Sequence, residues 1–252
     1  FIDFDNDGWQ DLYVTNDFDV ADHLYINQKD GTFIDNLKIA TKHISNFSMG
    51  SDIADYDNDG NMDVMVLDMM AEDHKRIKTN MGSMAPEQFW EIVNKGGHHQ
   101  YMFNTLQRNN GNGSFSELGQ LAGVTSTDWS WAPLFGDFDN DGYKDLYITN
   151  GVVSNNRNSD LTALYESKLD SIRAVALRRG VNPNTMINVM DFAKLAPTDK
   201  LANYIYKNNG DYTFDNKISE WGMETPTISN GAAYADFDLD GDLDLIINNI
   251  NE

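Results

Sequence analysis

Four short segments of the sequence share a spacing of carboxylates that suits a bound metal ion. Each follows the pattern Asp-x-Asp-x-Asp-Gly-x-x-Asp, and they occupy residues 3–11, 55–63, 137–145 and 236–244. We call these segments Asp loops 1 to 4 and number their positions 1 to 9. Positions 1, 3, 5 and 9 are carboxylates in every loop, and position 6 is always glycine. Carboxylates this close together repel one another strongly unless a cation lies between them.

The order of these residues matches an oxygen-only calcium loop, in which glycine permits a sharp turn. Position 7 varies in side chain, which suits a ligand offered through the backbone carbonyl oxygen. Many oxygen ligands favour Ca²⁺ over Mg²⁺, which requires a tight octahedron. We therefore predict four bound Ca²⁺ ions, one in each loop. The predicted metal ligands are Asp3, Asp5, Asp7, Trp9 and Asp11 in loop 1; Asp55, Asp57, Asp59, Asn61 and Asp63 in loop 2; Asp137, Asp139, Asp141, Tyr143 and Asp145 in loop 3; and Asp236, Asp238, Asp240, Asp242 and Asp244 in loop 4.

Two other interpretations of these loops are less consistent with the sequence. An EF-hand would place a glutamate at position 12 and continue into a helix. Position 12 is instead Val14, Val66, Ile148 or Ile247, each in a short apolar run typical of a strand. A set of merely acidic turns would not explain why the pattern recurs at a fixed distance from a second landmark.

That landmark is a phenylalanine, found at Phe33, Phe115 and Phe214, each 22 residues before the next Asp loop. It closes a hairpin pattern that begins with Leu/Ile-x-x-Asn and turns at a glycine-containing segment. The remaining variation in repeat length lies between the Asp loop and this hairpin. Insertions are therefore predicted near residues 68–104 and 152–203, with helices at 86–95 and 160–179.

Each repeat reads as four short strands, and a recurring four-stranded unit is typical of a β-propeller blade. We predict an all-β fold in which residues 1–252 form part of one β-propeller with calcium-binding loops and helical insertions. The sequence accounts for about three blades plus one loop and strand. The other blades and a targeting segment are expected outside it, as part of a larger polypeptide or assembly.

Composition excludes several classes of function. The chain has 40 Asp+Glu against 18 Lys+Arg, a net charge of −22, which argues against nucleic acid as a partner. The absence of cysteine excludes disulfides, thiolate zinc sites and cysteine catalysis. No apolar run approaches the length of a membrane-spanning helix. No phosphate loop, nucleophile elbow or zinc-hydrolase motif is present, so no catalytic residue is assigned.

At the Asp loops the sequence resembles the FG-GAP/VCBS repeat family, the calcium-loop propellers typified by the integrin α-subunit head. Residues 129–142 and 229–236 are also similar to large secreted bacterial repeat proteins with ASPIC/UnbV domains, which are related to cartilage acidic protein. The resemblance implies an exported, Ca²⁺-stabilised propeller of seven or eight blades. Two departures are the absence of a visible ASPIC/UnbV segment and Leu239 at position 4 of loop 4, where the other loops have asparagine.

The function predicted first is a calcium-stabilised extracellular module without enzymatic activity. It would mediate protein or glycan binding at the bacterial cell surface, in association with the outer membrane or in the periplasm. The insertions and the links between repeats share one side of the predicted fold, and loop-rich sides tend to carry function. Two alternatives stay open: a lyase-like polysaccharide-active enzyme on a propeller platform, and a structural subunit of an outer-membrane assembly.

Overall fold

Strands dominate the computed structural model, which describes residues 1–18, 20–80, 86–155 and 158–250. They form four antiparallel sheets and one short parallel pair. The first sheet contains β1 (Leu12–Val14), β2 (His23–Asn27) and β3 (Phe33–Asp35); the second contains β5 (Gly50–Ala54), β6 (Asp63–Leu67), β8 (Thr105–Asn109) and β9 (Phe115–Glu117); the third contains β10 (Ser130–Gly136), β11 (Asp145–Asn150), β12 (Tyr204–Asn208) and β13 (Phe214–Asn216); the fourth contains β14 (Ser229–Ala235) and β15 (Asp244–Asn249); and β4 (Ile44–Ser45) pairs with β7 (Gln100–Tyr101).

The strand order is the one predicted from the repeats. In the second and third sheets one strand leads into an Asp loop, the next leaves it, and the third and fourth form a hairpin. The first sheet contains the last three of these strands, and the fourth sheet contains the first two. The mostly β class is therefore confirmed. The ring of a propeller and the boundaries of its blades stay predictions.

The core lies between consecutive sheets, because the strand after each inner Asp loop is buried on both faces. Every residue of β6 is buried. Side chains alternate across a strand, so Val64 and Val66 pack against the first sheet while Met65 and Leu67 pack against the third. Full burial of one such side chain contributes roughly 1.5–3 kcal/mol. These contacts hold the sheets side by side.

The landmark phenylalanines have a packing role between successive repeats. Phe115 packs edge-on against Phe4 at position 2 of loop 1, with ring centroids 5.9 Å apart. Phe214 packs against Tyr56 at the same position of loop 2, at 5.8 Å. Phe33 belongs to the first repeat of this sequence and is 44% exposed. The phenylalanine of one repeat thus packs against the Asp loop of the preceding repeat.

Gly50, five residues before Asp loop 2, allows a close approach between the backbones of neighbouring sheets. A Cβ atom added there would lie 2.1 Å from the carbonyl oxygen of Trp131 in the neighbouring sheet. Gly231, at the equivalent position of the fourth sheet, has no atom within 4 Å of such a Cβ. The close approach therefore explains only Gly50.

The insertions contain most of the helical structure. The helices are α1 (Leu37–Ala40), α2 (His74–Asn80), α3 (Pro86–Asn94), α4 (Gly119–Ala122), α5 (Ser159–Arg179) and α6 (Val189–Ala193), with a 3₁₀ helix at Pro183–Met186. The side chain of Asn158 caps α5 by accepting the N–H of Asp160, and Gly180 ends the helix with a φ of 65°. Both predicted insertion helices are confirmed. The first insertion also contributes β7, which the helical prediction missed. Residues 81–85 and 156–157 of the predicted insertions lie outside the described part of the chain.

Candidate metal centres

The same hydrogen-bonded frame recurs in all four Asp loops. The carboxylate at position 1 accepts the backbone N–H groups of positions 5 and 6, which folds the loop back on itself. The distances are 3.0 and 2.8 Å for Asp3, 3.0 and 3.0 Å for Asp55, 3.0 and 2.9 Å for Asp137, and 3.1 and 3.1 Å for Asp236. This turn requires a left-handed residue at position 6, where φ is 88–101° in the four glycines.

The carboxylate at position 9 anchors each loop to the sheet. In loop 2, Asp63 accepts the N–H of Tyr56 at 3.2 Å and the N–H of Asn109 in β8 at 2.8 Å. The equivalent Asp145 of loop 3 makes the same two kinds of contact. Burial raises the pKa of Asp63 to about 7 and the pKa of Asp145 to about 6. A cation beside these carboxylates would offset the cost of burying their charge.

Three of the five predicted ligand positions converge in every loop. Carboxylate oxygens from positions 1, 3 and 9 lie within 4.8 Å of one another, which brings together Asp3, Asp5 and Asp11; Asp55, Asp57 and Asp63; Asp137, Asp139 and Asp145; and Asp236, Asp238 and Asp244. The donors in each cluster are all carboxylate oxygens, with no imidazole or sulfur. This set fits a hard cation such as Ca²⁺ and is unsuited to softer metals.

The other two predicted positions take different places. The carboxylate at position 5 stands outside the converging set and accepts the N–H of position 7, at 2.9 Å from Asp7 to Trp9, 2.9 Å from Asp59 to Asn61, 3.0 Å from Asp141 to Tyr143 and 3.3 Å from Asp240 to Asp242. Position 5 is therefore fixed within the loop by its own turn. The role of the carbonyl oxygen at position 7 stays a prediction.

Basic side chains contact the carboxylates of the first three loops, which the sequence did not reveal. Lys29 lies 2.9 Å from Asp7. Arg108 contacts positions 3 and 5 of loop 2, and Lys207 contacts the same positions of loop 3. Arg108 and Lys207 each directly precede the asparagine that closes the Leu/Ile-x-x-Asn pattern. This shared position, one residue before the asparagine, is the sequence feature that could have predicted the contacts with the loops.

Position 4 also has a role that sequence reasoning missed. It adopts a left-handed backbone in every loop, with φ of 57° at Asn6, 58° at Asn58, 59° at Asn140 and 64° at Leu239. Asparagine tolerates this conformation far better than leucine does. The asparagines at position 4 of loops 1, 2 and 3 are the sequence feature that could have predicted this backbone conformation. Leu239 of loop 4 departs from the pattern.

A cavity lies on the side of the molecule that carries the insertions. Its volume is about 310 Å³, and its lining includes Glu72 and Arg76 of the first insertion, Asp128 of the link between repeats, and Tyr204 of β12. The Tyr204 hydroxyl donates to Glu72 at 3.0 Å. Arg76 pairs with Asp128 and also donates to Asp199 at 3.1 Å. The first insertion therefore supplies charged groups to this cavity, and Arg76 also connects it to Asp199 of the second insertion.

The pair His98-His99 lies in the first insertion, where His98 is held by two hydrogen bonds. His98 is buried, and its Nδ1 accepts the backbone N–H of His99 at 2.8 Å. The Nε2 atom therefore carries the proton and donates to the Thr41 hydroxyl at 2.9 Å. Burial lowers the pKa of His98 to about 4. A neutral histidine held in this way has a packing role.

Comparison with known proteins supports the repeat assignment. Residues 3–66 and 92–148 match the family model of the FG-GAP-like repeat. No curated protein matches the chain. Within the described residues, no helix is long and apolar enough to cross a membrane. The two matched regions contain Asp loops 1, 2 and 3 with the strands that follow them. Residues 3–66 and 92–148 are therefore FG-GAP-like repeats.

Proposed function

We propose that the chain is part of a calcium-stabilised β-propeller that serves as an extracellular binding or scaffold module. The observation that carries this proposal is the fourfold recurrence of one hydrogen-bonded frame, with three carboxylates converging in each loop. The carboxylates at positions 1, 3, 5 and 9 and the carbonyl at position 7 would hold the ion. When bound, Ca²⁺ neutralises the clustered charge, and its binding free energy adds to folding.

Several features of the fold support the propeller within this proposal. Consecutive sheets bury side chains against one another through both faces of β6, and the phenylalanine of one repeat packs on the loop of the repeat before it. Such side-by-side packing of short antiparallel sheets is the arrangement that blades need. The insertions then lie at the edge opposite the Asp loops, as a surface for contact with a partner.

Export fits the proposed dependence on calcium. Extracellular calcium modules bind the ion with dissociation constants of roughly 10⁻⁴–10⁻³ M, and loops as exposed as these would be filled where calcium is plentiful. The lack of cysteine leaves bound metal as a means of cross-linking the repeats. We therefore place the protein at the bacterial cell surface or in the periplasm.

Thermal unfolding tests the calcium proposal. The chain stripped of metal is titrated with Ca²⁺, and separately with Mg²⁺. Each site should contribute about 2.7 kcal/mol at a free Ca²⁺ concentration a hundredfold above its Kd, and the melting temperature should rise accordingly. The Asp57→Asn variant should lose part of this gain, whereas Glu166→Gln, an exposed carboxylate of α5, should keep all of it. A melting temperature that does not respond to Ca²⁺ would contradict the proposal.

The cavity beside Arg76 is the proposed contact site for a glycan. Its tyrosine ring, carboxylates and guanidinium offer stacking and hydrogen bonds to sugar hydroxyls. Calorimetry with a panel of neutral and acidic oligosaccharides should detect binding that Tyr204→Phe and Glu72→Gln weaken. Cleaved products in the same panel would favour the lyase-like enzyme instead. Recovery of a stoichiometric protein partner without sugar binding would favour the structural subunit.

A further inference from the structure

The asparagine that closes the Leu/Ile-x-x-Asn pattern touches two Asp loops at once. In the second sheet, the buried Asn109 donates from Nδ2 to the carbonyl oxygen of Phe4 in loop 1, at 2.8 Å. The same Nδ2 donates to the carbonyl oxygen of Met62 in loop 2, at 3.3 Å. Its backbone N–H donates to Asp63 at 2.8 Å. One side chain therefore joins two successive candidate metal centres.

The third sheet repeats this arrangement. Asn208 donates from Nδ2 to the carbonyl of Tyr56 in loop 2 at 2.9 Å and to the carbonyl of Lys144 in loop 3 at 3.0 Å. Its backbone N–H donates to Asp145 at 2.9 Å. The recurrence shows that the contact is a property of the repeat.

These bonds complete an unbroken path between three loops. Phe4 donates its N–H to Asp11 at 2.9 Å and accepts from Asn109 through its carbonyl. Asn109 in turn donates to Asp63, which also accepts the N–H of Tyr56. The path continues through Asn208 to Asp145. The carboxylates at position 9 of loops 1, 2 and 3 are thus linked through buried hydrogen bonds.

A second contact between loops runs along their exposed edge. Asn58 at position 4 of loop 2 donates to the carbonyl of Gly142 in loop 3 at 3.0 Å. Asn6 of loop 1 donates to the carbonyl of Gly60 in loop 2 at 3.4 Å. In the described part of the chain, Asn140 makes no such bond to loop 4, and no side chain donates to the carbonyl of Phe138. The contacts of the described residues therefore join loops 1, 2 and 3.

We propose that Asn109 and Asn208 act as positioning residues that couple cation binding between adjacent Asp loops. The inference rests on the proposed function, because it requires the loops to bind cations. An ion that orders Asp63 also fixes the backbone of Asn109, and hence the Phe4 peptide on which Asp11 depends. Loops 1 to 3 then bind as a coupled row.

The test uses Tb³⁺, whose luminescence is sensitised by a nearby tryptophan. Trp9 is the only tryptophan within an Asp loop, so excitation of tryptophan reports on loop 1, and Trp9→Phe should remove this signal. Loop 2 is disabled by the double substitution Asp57→Asn and Asp59→Asn. The affinity of loop 1 for Tb³⁺ should then fall by about fivefold or more, the low end of measured couplings between sites. In an Asn109→Ala background, the same double substitution should have no effect on loop 1.

Asn27→Ala provides the matched control. Asn27 makes the same contacts with its own loop, to Gln10 and Asp11, but bonds to no earlier loop in the described residues. Coupling between loops 1 and 2 should therefore survive in this variant. With Asn109 present, an equal Tb³⁺ affinity of loop 1 with and without the double substitution in loop 2 would overturn the inference. Coupling that persists in Asn109→Ala would overturn it as well.

A second pair of variants covers the case in which Asn109→Ala does not fold. Asn6→Gly keeps the left-handed backbone and removes the exposed contact to loop 2, so the coupling factor should fall. Asn140→Gly is the control. Coupling that is abolished in Asn6→Gly but kept in Asn140→Gly would overturn the inference, because Asn6→Gly leaves the buried path through Asn109 intact. Tb³⁺ luminescence from loop 1 with an affinity that does not depend on loop 2 would overturn the inference of coupling but not the proposed function. A chain that shows neither luminescence nor stabilisation by Ca²⁺ would overturn both.

Discussion

Replacing Asp22 with asparagine should stabilise the protein at neutral pH. Asp22 is buried, and the second and third repeats carry Asn104 and Asn203 at the equivalent position, two residues before the Leu or Ile of the Leu/Ile-x-x-Asn pattern. All three side chains accept a backbone N–H, which comes from Asn16 at 2.9 Å in the case of Asp22. An amide makes this bond as well as a carboxylate does, without a buried charge.

The magnitude follows from the pKa of Asp22. Burial raises it from 3.8 to about 6, and this difference corresponds to roughly 3 kcal/mol of destabilisation when the group is ionised. The folded state binds more protons than the unfolded state between these two values, so this contribution to stability falls as the pH rises through that window. Asparagine loses the hydrogen bond that the ionised group accepts from Tyr13 at 3.0 Å. The net gain at pH 7 should therefore be about 1–2 kcal/mol.

Chemical denaturation at saturating Ca²⁺ measures this effect. The free energy of unfolding of Asp22→Asn should exceed that of the unaltered protein at pH 7. The difference should fall by roughly 2 kcal/mol between pH 7 and pH 4 and change sign near pH 4, where only the loss of the Tyr13 bond remains. The reverse substitution, Asn104→Asp, should destabilise the second repeat, because it places a carboxylate beside the carbonyl of Val124, which Asn104 now contacts through its amide group. A difference that is the same at both pH values, or that has the opposite sign at pH 7, would refute the reasoning.

Three further substitutions test other parts of the fold by the same denaturation assay. Leu239→Asn should stabilise the protein by about 0.5–1 kcal/mol, because asparagine suits the left-handed backbone of this exposed position; no change would mean that loop 4 relaxes around leucine. Gly50→Ala should destabilise it by about 1–3 kcal/mol, since the added Cβ meets the rigid carbonyl of Trp131, and Gly231→Ala is the control that meets no atom. Arg76→Ala should cost about 3–5 kcal/mol by leaving Asp128 buried without its partner; a smaller loss on Arg76→Met than on Arg76→Ala would show that packing also contributes.

Much of the candidate metal site could be predicted because it is local. The ligands of each loop lie within nine residues, and the turn that gathers them depends on the glycine at position 6 and a left-handed residue at position 4. The insertion helix α5 was equally accessible, since its cap at Asn158 and its stop at Gly180 are neighbours in the chain. Apolar runs were sufficient to predict the strands after each loop. Two of these strands, β6 and β11, are buried on both faces, which a continuous hydrophobic stretch allows.

The sequence by itself determined the four Asp loops, the strand order of the repeats and the helices of the insertions. Only the tertiary structure decided which groups meet across repeats. The bond from Asn109 to Phe4, the pairing of Arg76 with Asp128 and the raised pKa of Asp22 all arise there. Their partners are distant in the chain or depend on burial between sheets. A local pattern fixes how a segment turns, but contacts between segments depend on how whole sheets pack.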